Sequence, residues 1–377
     1  TFDVELERRV GLAMGLEVAA KGGNVILAPT INLLRHPGWG RAQETYSEDP
    51  WHMGAMSVAF ISGAQNHVLA SPKHFALNNL EITRFDLSAN IDVRTLHEVY
   101  LPHFKRSIQE AAAGSVMSAY NKVNDVYCGE HSILLTDILR DNWGFTGFVE
   151  SDWFLGTRST AAAINAGMDI EMPGAHWYSE ESINEALARG ELDEAAITRN
   201  ARRVVYQNVA WAIADMEVPD ARVVEREEHI DLAREVAEKS FVLLKNELLL
   251  PLEDTAGLKV ALVGDLADTV NLGDRGSSFV TSSEVSTPLS GLQAHIKNAS
   301  LHYFRSDDDL NRLGDFDVCI VVAGLTYIEE GEFIPTLQQE AEEGELARGG
   351  DRETLLLPDS QRSLIDKVAG VARKTVV

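Results

Sequence analysis

Short apolar runs alternate with longer stretches of helical periodicity through the first half of the chain. Asn24 to Ala28 reads as a buried strand ending at Pro29, Ser115 to Ala119 as another, and Gly147 to Glu150 as a third. Helical patterns fill the gaps at Arg94 to Ala112, Ser132 to Asp141 and Ala161 to Ala166, and Gly167 to Pro173 is a further strand candidate. Strand, helix and strand in series predict a mostly parallel sheet, either open or closed as a barrel.

The rhythm changes in the second half. A helical stretch from Glu191 to Met216 runs into Glu217-Val218-Pro219-Asp220 and then the charge-rich Arg222 to Asp231. This places a first domain over residues 1–218, a linker over 219–236 and a second domain over 237–377. Ala233 to Ser240 is expected to be a helix leading into the second unit, with Phe241 to Asn246 as its first segment. Lys259 to Gly264 and Asp317 to Gly324 are apolar strands of the kind buried in α/β layers. The acidic stretch from Glu329 to Glu345 reads as a surface loop, in which Glu342, Glu343 and Glu345 are solvated charges.

Composition narrows the partners. The 377 residues are 45% hydrophobic, ample for a packed core, and carry a formal charge of −25. That balance argues against nucleic acid and disfavours anionic lipid. No run of about 18 apolar residues exists, so no membrane helix is expected. Cys128 and Cys319 are too far apart to read as a metal or disulfide pattern. Thr1 to Glu7 has no apolar core of a signal peptide. Compartment and oligomeric state leave no mark.

The chemistry-bearing residues cluster at predicted strand ends. Ser151-Asp152-Trp153 follows the Gly147 strand, setting a carboxylate beside an indole where parallel α/β folds carry catalytic groups. An N-cap is the competing reading of Asp152. Lys73, His74, Asn78, Asn79, Glu81 and Arg84 suit a polar ligand with several hydroxyls, or equally a salt-bridged helix face. His74 has no partner at ligand spacing, so no metal is expected. In the loop Arg35 to Arg41, Trp39 and Arg41 could face a site, with Glu44, Glu48 or Asp49 orienting Arg41; the alternative is a surface ion-pair loop. Tyr120, Asn121 and Asn124 follow the Ser115 strand. No G-x-G-x-x-G, G-K-[ST] or G-x-S-x-G occurs, so no nucleotide cofactor and no serine nucleophile is expected.

Taken in order, these pieces resemble glycoside hydrolase family 3, the β-glucosidase and β-xylosidase family. The resemblance rests on Leu27-Ala28-Pro29, Arg35 to Asp49, Lys73-His74-Phe75 with Asn78-Asn79, and Ser118 to Asn121. It continues through Leu134 to Arg140, Trp143-Gly144-Phe145, Ser151-Asp152-Trp153 and Glu171 to Gly174, then Val242 to Asn246 and Gly350-Asp351-Arg352. It implies a TIM-like (β/α) barrel domain followed by an α/β sandwich, with the active site between them. It implies Asp152 as nucleophile, Trp153 in a sugar platform, and Arg41, Lys73, His74 and Tyr120 as sugar-binding residues, with Arg84 and Met117 as further candidates.

The implied reaction is retaining, exo-acting hydrolysis of terminal β-D-glucosyl residues from small β-glucosides or oligosaccharides, without a cofactor. It needs two carboxyl groups roughly 5–5.5 Å apart. Asp152 must stay ionised, a state that Lys73 or Arg41 nearby would favour. Its partner is expected in the acidic stretch of the second domain. Glu332, which follows Gly331, is the first choice, with Glu330 and Glu329 as alternatives. A β-xylosidase, a dual-specificity enzyme, a non-catalytic sugar-binding relative and a Schiff-base enzyme using Lys73 are the competing functions. An Asp-bearing loop that relatives carry earlier is missing, and Lys374 to Val377 reads as the start of another strand. Both domains are therefore expected to be incomplete parts of a longer protein.

Overall fold

The computed structural model describes residues 1–211, 213, 216–334 and 350–377. Two compact units result, Thr1–Phe241 and Val242–Val377.

The first unit opens with helix α1 (Val4–Ala20), started by the Asp3 carboxylate, which accepts the Leu6 N–H at 2.9 Å. Helix α2 (Pro50–Ala64) is capped by Asp49 and has Pro50 in its first turn. The two pack backbone to backbone. A Cβ on Gly11 would stand 2.2 Å from the Phe60 carbonyl oxygen, and one on Gly63 2.1 Å from that of Arg8.

The strands of this unit are β1 (Val25–Ile26), β2 (Leu69–Ala70), β3 (Ser88–Ala89), β4 (Ser115–Met117), β5 (Lys122–Val123), β6 (Val126–Tyr127) and β7 (Phe148–Glu150). β1 pairs with β2 and β4 with β7, both parallel. Single parallel bridges, Thr30 to Lys73, Phe75 to Ser118 and Glu150 to Ile170, extend the array. The result is a run of parallel segments in chain order with helices between them, the arrangement expected of a (β/α) barrel. Val116, Val149, Phe75, Ile31 and Met168 are buried in its core. β3, β5 and β6 form a separate small sheet.

Three elements differ from the periodicity. The expected helix over Arg94 to Ala112 is interrupted at Leu101, where the Leu101 N–H reaches back five residues to Leu96. Pro102, which has no N–H to donate, starts a new helix, Pro102–Gln109. The Ser132 helix forms over Ile133–Asn142 with the same wide turns, and its last bond runs from Trp143 to Ile138. The strand candidate at Gly167 to Pro173 contributes only the bridge at Ile170. Beyond it, the Glu171 carboxylate gathers the N–H groups of His176, Trp177 and Tyr178, which turns the chain away.

Where sequence marks a linker over 219–236, the chain forms a short turn at Ala221–Val223 and a helix, Glu227–Ser240. That helix packs on α1. Glu17 receives the Glu225 N–H at 3.0 Å and lies 2.6 Å from His229 Nδ1, while Arg9 pairs with Glu235 at 2.8 Å.

The second unit carries a parallel sheet of β8 (Lys259–Val263), β9 (Ser300–Phe304), β10 (Val318–Val321) and β11 (Thr375–Val376), in the order β11-β10-β8-β9. Alternate residues face opposite sides, so both faces must be covered. Ala261, Val263, Cys319 and Val321 pack with Leu364 and Val368 of the Asp359–Val371 helix. Leu262 packs with Leu289 of the Pro288–His295 helix. Phe241 to Leu244, read as the unit's first segment, lies outside this sheet with its side chains exposed.

Candidate functional site

The carboxyl ends of the parallel segments in the first unit bring the sequence candidates together. Asp152 follows β7 and is 7% exposed. No helix starts there, since the next one begins at Ala161, so Asp152 is not an N-cap. Gly156 folds back so closely that a Cβ would stand 2.6 Å from the Asp152 backbone N and O. Trp153 and Phe154 both adopt positive φ, 54° and 56°. For large side chains this is a costly backbone region, found where the surroundings over-determine the conformation. The Tyr120 hydroxyl donates to the Trp153 carbonyl oxygen at 3.0 Å and helps to hold that turn.

His74 sits beside the nucleophile candidate, with Nε2 3.6 Å from Asp152 Oδ2. This is not an ion pair. Burial, then the charges of Arg41, Lys73 and Arg84, push the His74 pKa well below the ordinary histidine value, so the ring is neutral. Arg41 Nη1 lies 3.0 Å from Nε2 and can only donate, which makes Nε2 the acceptor and leaves the proton on Nδ1. That proton faces Asn32 Oδ1 at 3.1 Å. The Asn32 amide also accepts the His74 backbone N–H and donates to its carbonyl oxygen, both at 2.8 Å. One buried side chain therefore fixes the position and the tautomer of His74.

Arg41 is fully buried, which removes the surface-loop reading. Glu44 takes its Nε at 2.7 Å and Nη2 at 2.8 Å, the bidentate pairing that the i, i+3 spacing allows. Glu48 and Asp49 do not share this role, and Asp49 instead caps α2. The segment from Lys73 to Arg84 is not a helix, so the helix-face reading fails too. Its buried Glu81 links two loops, accepting from Trp39 Nε1 at 3.1 Å and from Arg84 Nη1 at 2.9 Å. The Arg84 guanidinium lies 4.8 Å from the centre of the Tyr120 ring and 4.9 Å from that of Phe85. Lys73 is half-buried at the strand end, and its charge is felt by His74. Met117 is a buried wall residue of β4, opposite Glu150.

Two supports escaped the sequence reading. Asn32 is one, and its only signal was an amide inside the apolar run Ile31 to Leu34. The other is Asp169, whose Oδ2 accepts the Val149 N–H at 2.8 Å and the Arg140 guanidinium at 2.5 Å, while Arg203 reaches Oδ1 at 3.1 Å. This network braces β7 from behind.

The acid/base candidates lie in the second unit. Glu329 Oε2 accepts from the Thr326 N–H and hydroxyl, both at 2.8 Å, and so caps a turn. Glu332 is buried, and its Oε2 accepts the Ser277 N–H at 2.6 Å. Glu330 remains partly open and faces Arg352, whose Nε is 3.2 Å from Oε2. Burial raises the Glu330 pKa above its ordinary value. Arg352 pulls it back, while Asp274 and Glu329 add to the rise. Glu342, Glu343 and Glu345 lie outside the described residues.

A parallel (β/α) array with a carboxylate at a strand end, followed by a second α/β unit with its own carboxylate loop, is the plan of a two-domain glycosidase fold. Residues 1–206 match the glycosyl hydrolase family 3 N-terminal domain and residues 241–377 the family 3 C-terminal domain. The chain belongs to glycoside hydrolase family 3. It is 39% identical over 303 residues to a β-glucosidase of Rhizobium radiobacter, covering 80% of this chain and 37% of that protein. It is 32% identical to an exo-α-(1→6)-L-arabinopyranosidase of Bifidobacterium breve, covering 100% of this chain and 50% of the relative. Among solved structures, a family 3 β-glucosidase of Bifidobacterium adolescentis aligns with a TM-score of 0.84 at 32% identity, covering 100% of this chain and 54% of that one. The chain thus spans about half the length of the curated relatives it matches, or less.

Proposed function

We propose that this chain carries the catalytic groups of a retaining, exo-acting β-glycosidase that removes terminal β-D-glucosyl residues. The observation that carries the reading is the setting of Asp152, a buried carboxylate at a strand end against a neutral His74 locked by Arg41 and Asn32. In the first step the Asp152 carboxylate attacks the anomeric carbon. The bond to the leaving oxygen breaks, and the acid/base residue gives that oxygen its proton. In the second step water attacks the glycosyl-Asp ester, loses a proton to the same residue, and Asp152 departs. Arg41, Lys73, His74 and Arg84 are donors or acceptors for sugar hydroxyls, and Trp153 is the platform for the ring.

For the acid/base role we favour Glu330 over Glu332. An acid must hold its proton at working pH and deliver it to substrate. The raised pKa and partial exposure of Glu330 suit that task. Glu332 has an oxygen already occupied by the Ser277 amide, and Glu329 is tied to Thr326.

A second reading has one specific support, the similarity to an exo-α-(1→6)-L-arabinopyranosidase over the whole chain. It would make the substrate a pentopyranoside without the exocyclic CH₂OH, in line with the xylosidase alternative.

The test is mass spectrometry after incubation with an activated 2-deoxy-2-fluoro-β-glucoside, in parallel with its xylosyl and α-L-arabinopyranosyl counterparts. The fluorine slows breakdown of the covalent intermediate. The expected result is a glucosyl adduct on the Asp152 peptide, absent from Asp152→Asn. Faster labelling by a pentosyl reagent would favour the second reading. No adduct from any reagent on folded protein would overturn both.

A further inference from the structure

We propose that Asp274 is a positioning residue, which together with Glu332 clamps the segment carrying Glu330 and holds that carboxyl in the orientation acid catalysis requires. The inference rests on the assignment of Glu330 as acid/base. It concerns the loop Gly273 to Ser278, which matches none of the phosphate-cradling glycine motifs.

The geometry is reciprocal. Asp274 is buried, and Oδ2 accepts the Glu332 N–H at 2.8 Å while Oδ1 accepts the Gly276 N–H at 2.9 Å. Glu332 returns the contact, its Oε2 accepting the Ser277 N–H at 2.6 Å. Each strand of the clamp thus offers a carboxylate to the backbone of the other. The Arg275 guanidinium adds a third tie, 3.9 Å from the centre of the Tyr327 ring. Glycines permit the close fit, because a Cβ on Gly276 would stand 2.7 Å from Glu332 Cβ and one on Gly331 2.9 Å from Asp274 Cβ. The Gly350 N–H donates to the Gly331 carbonyl oxygen at 2.6 Å, and on the preceding side the Glu330 N–H donates to the Thr326 carbonyl oxygen at 3.3 Å. Glu330 is therefore flanked by fixed backbone on both sides, while its own side chain stays partly open.

Asp274 also acts through charge. Among the described residues, the groups that act on Glu330 are Arg352, which favours its ionised form, and Asp274 and Glu329, which oppose it. Asp274 thus opposes loss of the proton from the neighbouring Glu330 carboxyl.

The experiment compares Asp274→Asn, Glu330→Gln and wild type, as the full chain, on aryl β-glucosides that differ only in the leaving phenol. Phenyl β-glucoside needs a proton from the acid, whereas 2,4-dinitrophenyl β-glucoside leaves without one. Asp274→Asn is expected to lower kcat/KM for the phenyl substrate by about tenfold or more, part of the 10²–10⁴ that general acid catalysis supplies. Its kcat/KM for the dinitrophenyl substrate should stay within about threefold of wild type, the change expected when only acid assistance is lost. The basic limb of the phenyl pH profile should move to lower pH, since the lost charge no longer holds the proton on Glu330. Equal loss on both substrates, or no shift of that limb, would overturn the inference. If Glu330→Gln itself lacks the leaving-group selectivity, the acid/base assignment fails instead. Should Asp274→Asn not fold, Gly276→Ala keeps both carboxylates but pushes on Glu332. The same substrate selectivity is expected of it, and its absence would count equally against the clamp.

Discussion

The two carboxylate sites are held in opposite ways. Around Asp152 the supports are side chains reaching across the fold: Asn32 to His74, Glu44 to Arg41, Glu81 to Trp39 and Arg84, Asp169 to Arg140. Around Glu330 they are backbone amides gathered by two acids from neighbouring loops. The first design fixes the proposed nucleophile at a strand end, where small displacements are costly for in-line attack. The second keeps a segment in place while leaving one carboxyl open to exchange protons. A nucleophile needs a single position, whereas an acid/base needs both a position and access to water.

The comparison is tested most severely at Asp152. Asp152→Asn should lower turnover by several orders of magnitude while the first unit still unfolds in one cooperative transition, since the replacement keeps the size and shape of the side chain. Steady-state kinetics and calorimetry together check it. A large loss of stability would mean that Asp152 is itself part of the scaffold.

Asn32→Leu is next. It leaves the His74 backbone N–H and C=O buried without this partner, a cost of about 1–3 kcal/mol for each unsatisfied group. It also releases the Nδ1 proton. We expect a lower Tm and a rise in KM of about tenfold, corresponding to roughly 1.4 kcal/mol of binding. Nitrogen NMR of the ring should show mixed tautomers. Asn32→Asp, which retains the acceptor for Nδ1, should recover the tautomer but not the full stability.

The last test reads stability alone and concerns Glu150, two residues before the proposed nucleophile. It is buried in the array with the Ser71 hydroxyl donating to Oε1, and burial lifts its pKa to about 7. The folded state therefore keeps a proton that the unfolded chain has already lost. Its stabilising effect is complete below the ordinary glutamate value of 4.5 and is lost as pH rises toward 7. The expected decline is roughly 3 kcal/mol across that window. Glu150→Gln should flatten it in denaturant titrations at several pH values and leave the variant the more stable protein above pH 7. An unchanged slope would show that the carboxyl ionises freely.

What the sequence made legible follows from range. The βα rhythm, the carboxylate at the end of β7 and the Arg41–Glu44 pair are local patterns, readable because their geometry depends on residues a few positions apart. Asn32 and His74 are separated by 42 positions, and nothing in either neighbourhood announces the other. Charge density misled at Glu227–Ser240, where acidic and basic residues on a helix packed against α1 look like a linker. The choice among Glu329, Glu330 and Glu332 was opaque for a related reason. All three share a loop and a composition, and they differ in which amide or hydroxyl each carboxylate meets.

The Gly331–Gly350 contact has a consequence for the Glu330–Arg352 pair. The Gly350 N–H donates to the Gly331 carbonyl oxygen, joining one backbone position next to Glu330 to another two positions before Arg352. The guanidinium that meets the Glu330 carboxylate at 3.2 Å is thus delivered by main chain as much as by its own side chain. Two glycines, where no side chain stands in the way, carry part of the work of choosing which cation this acid sees.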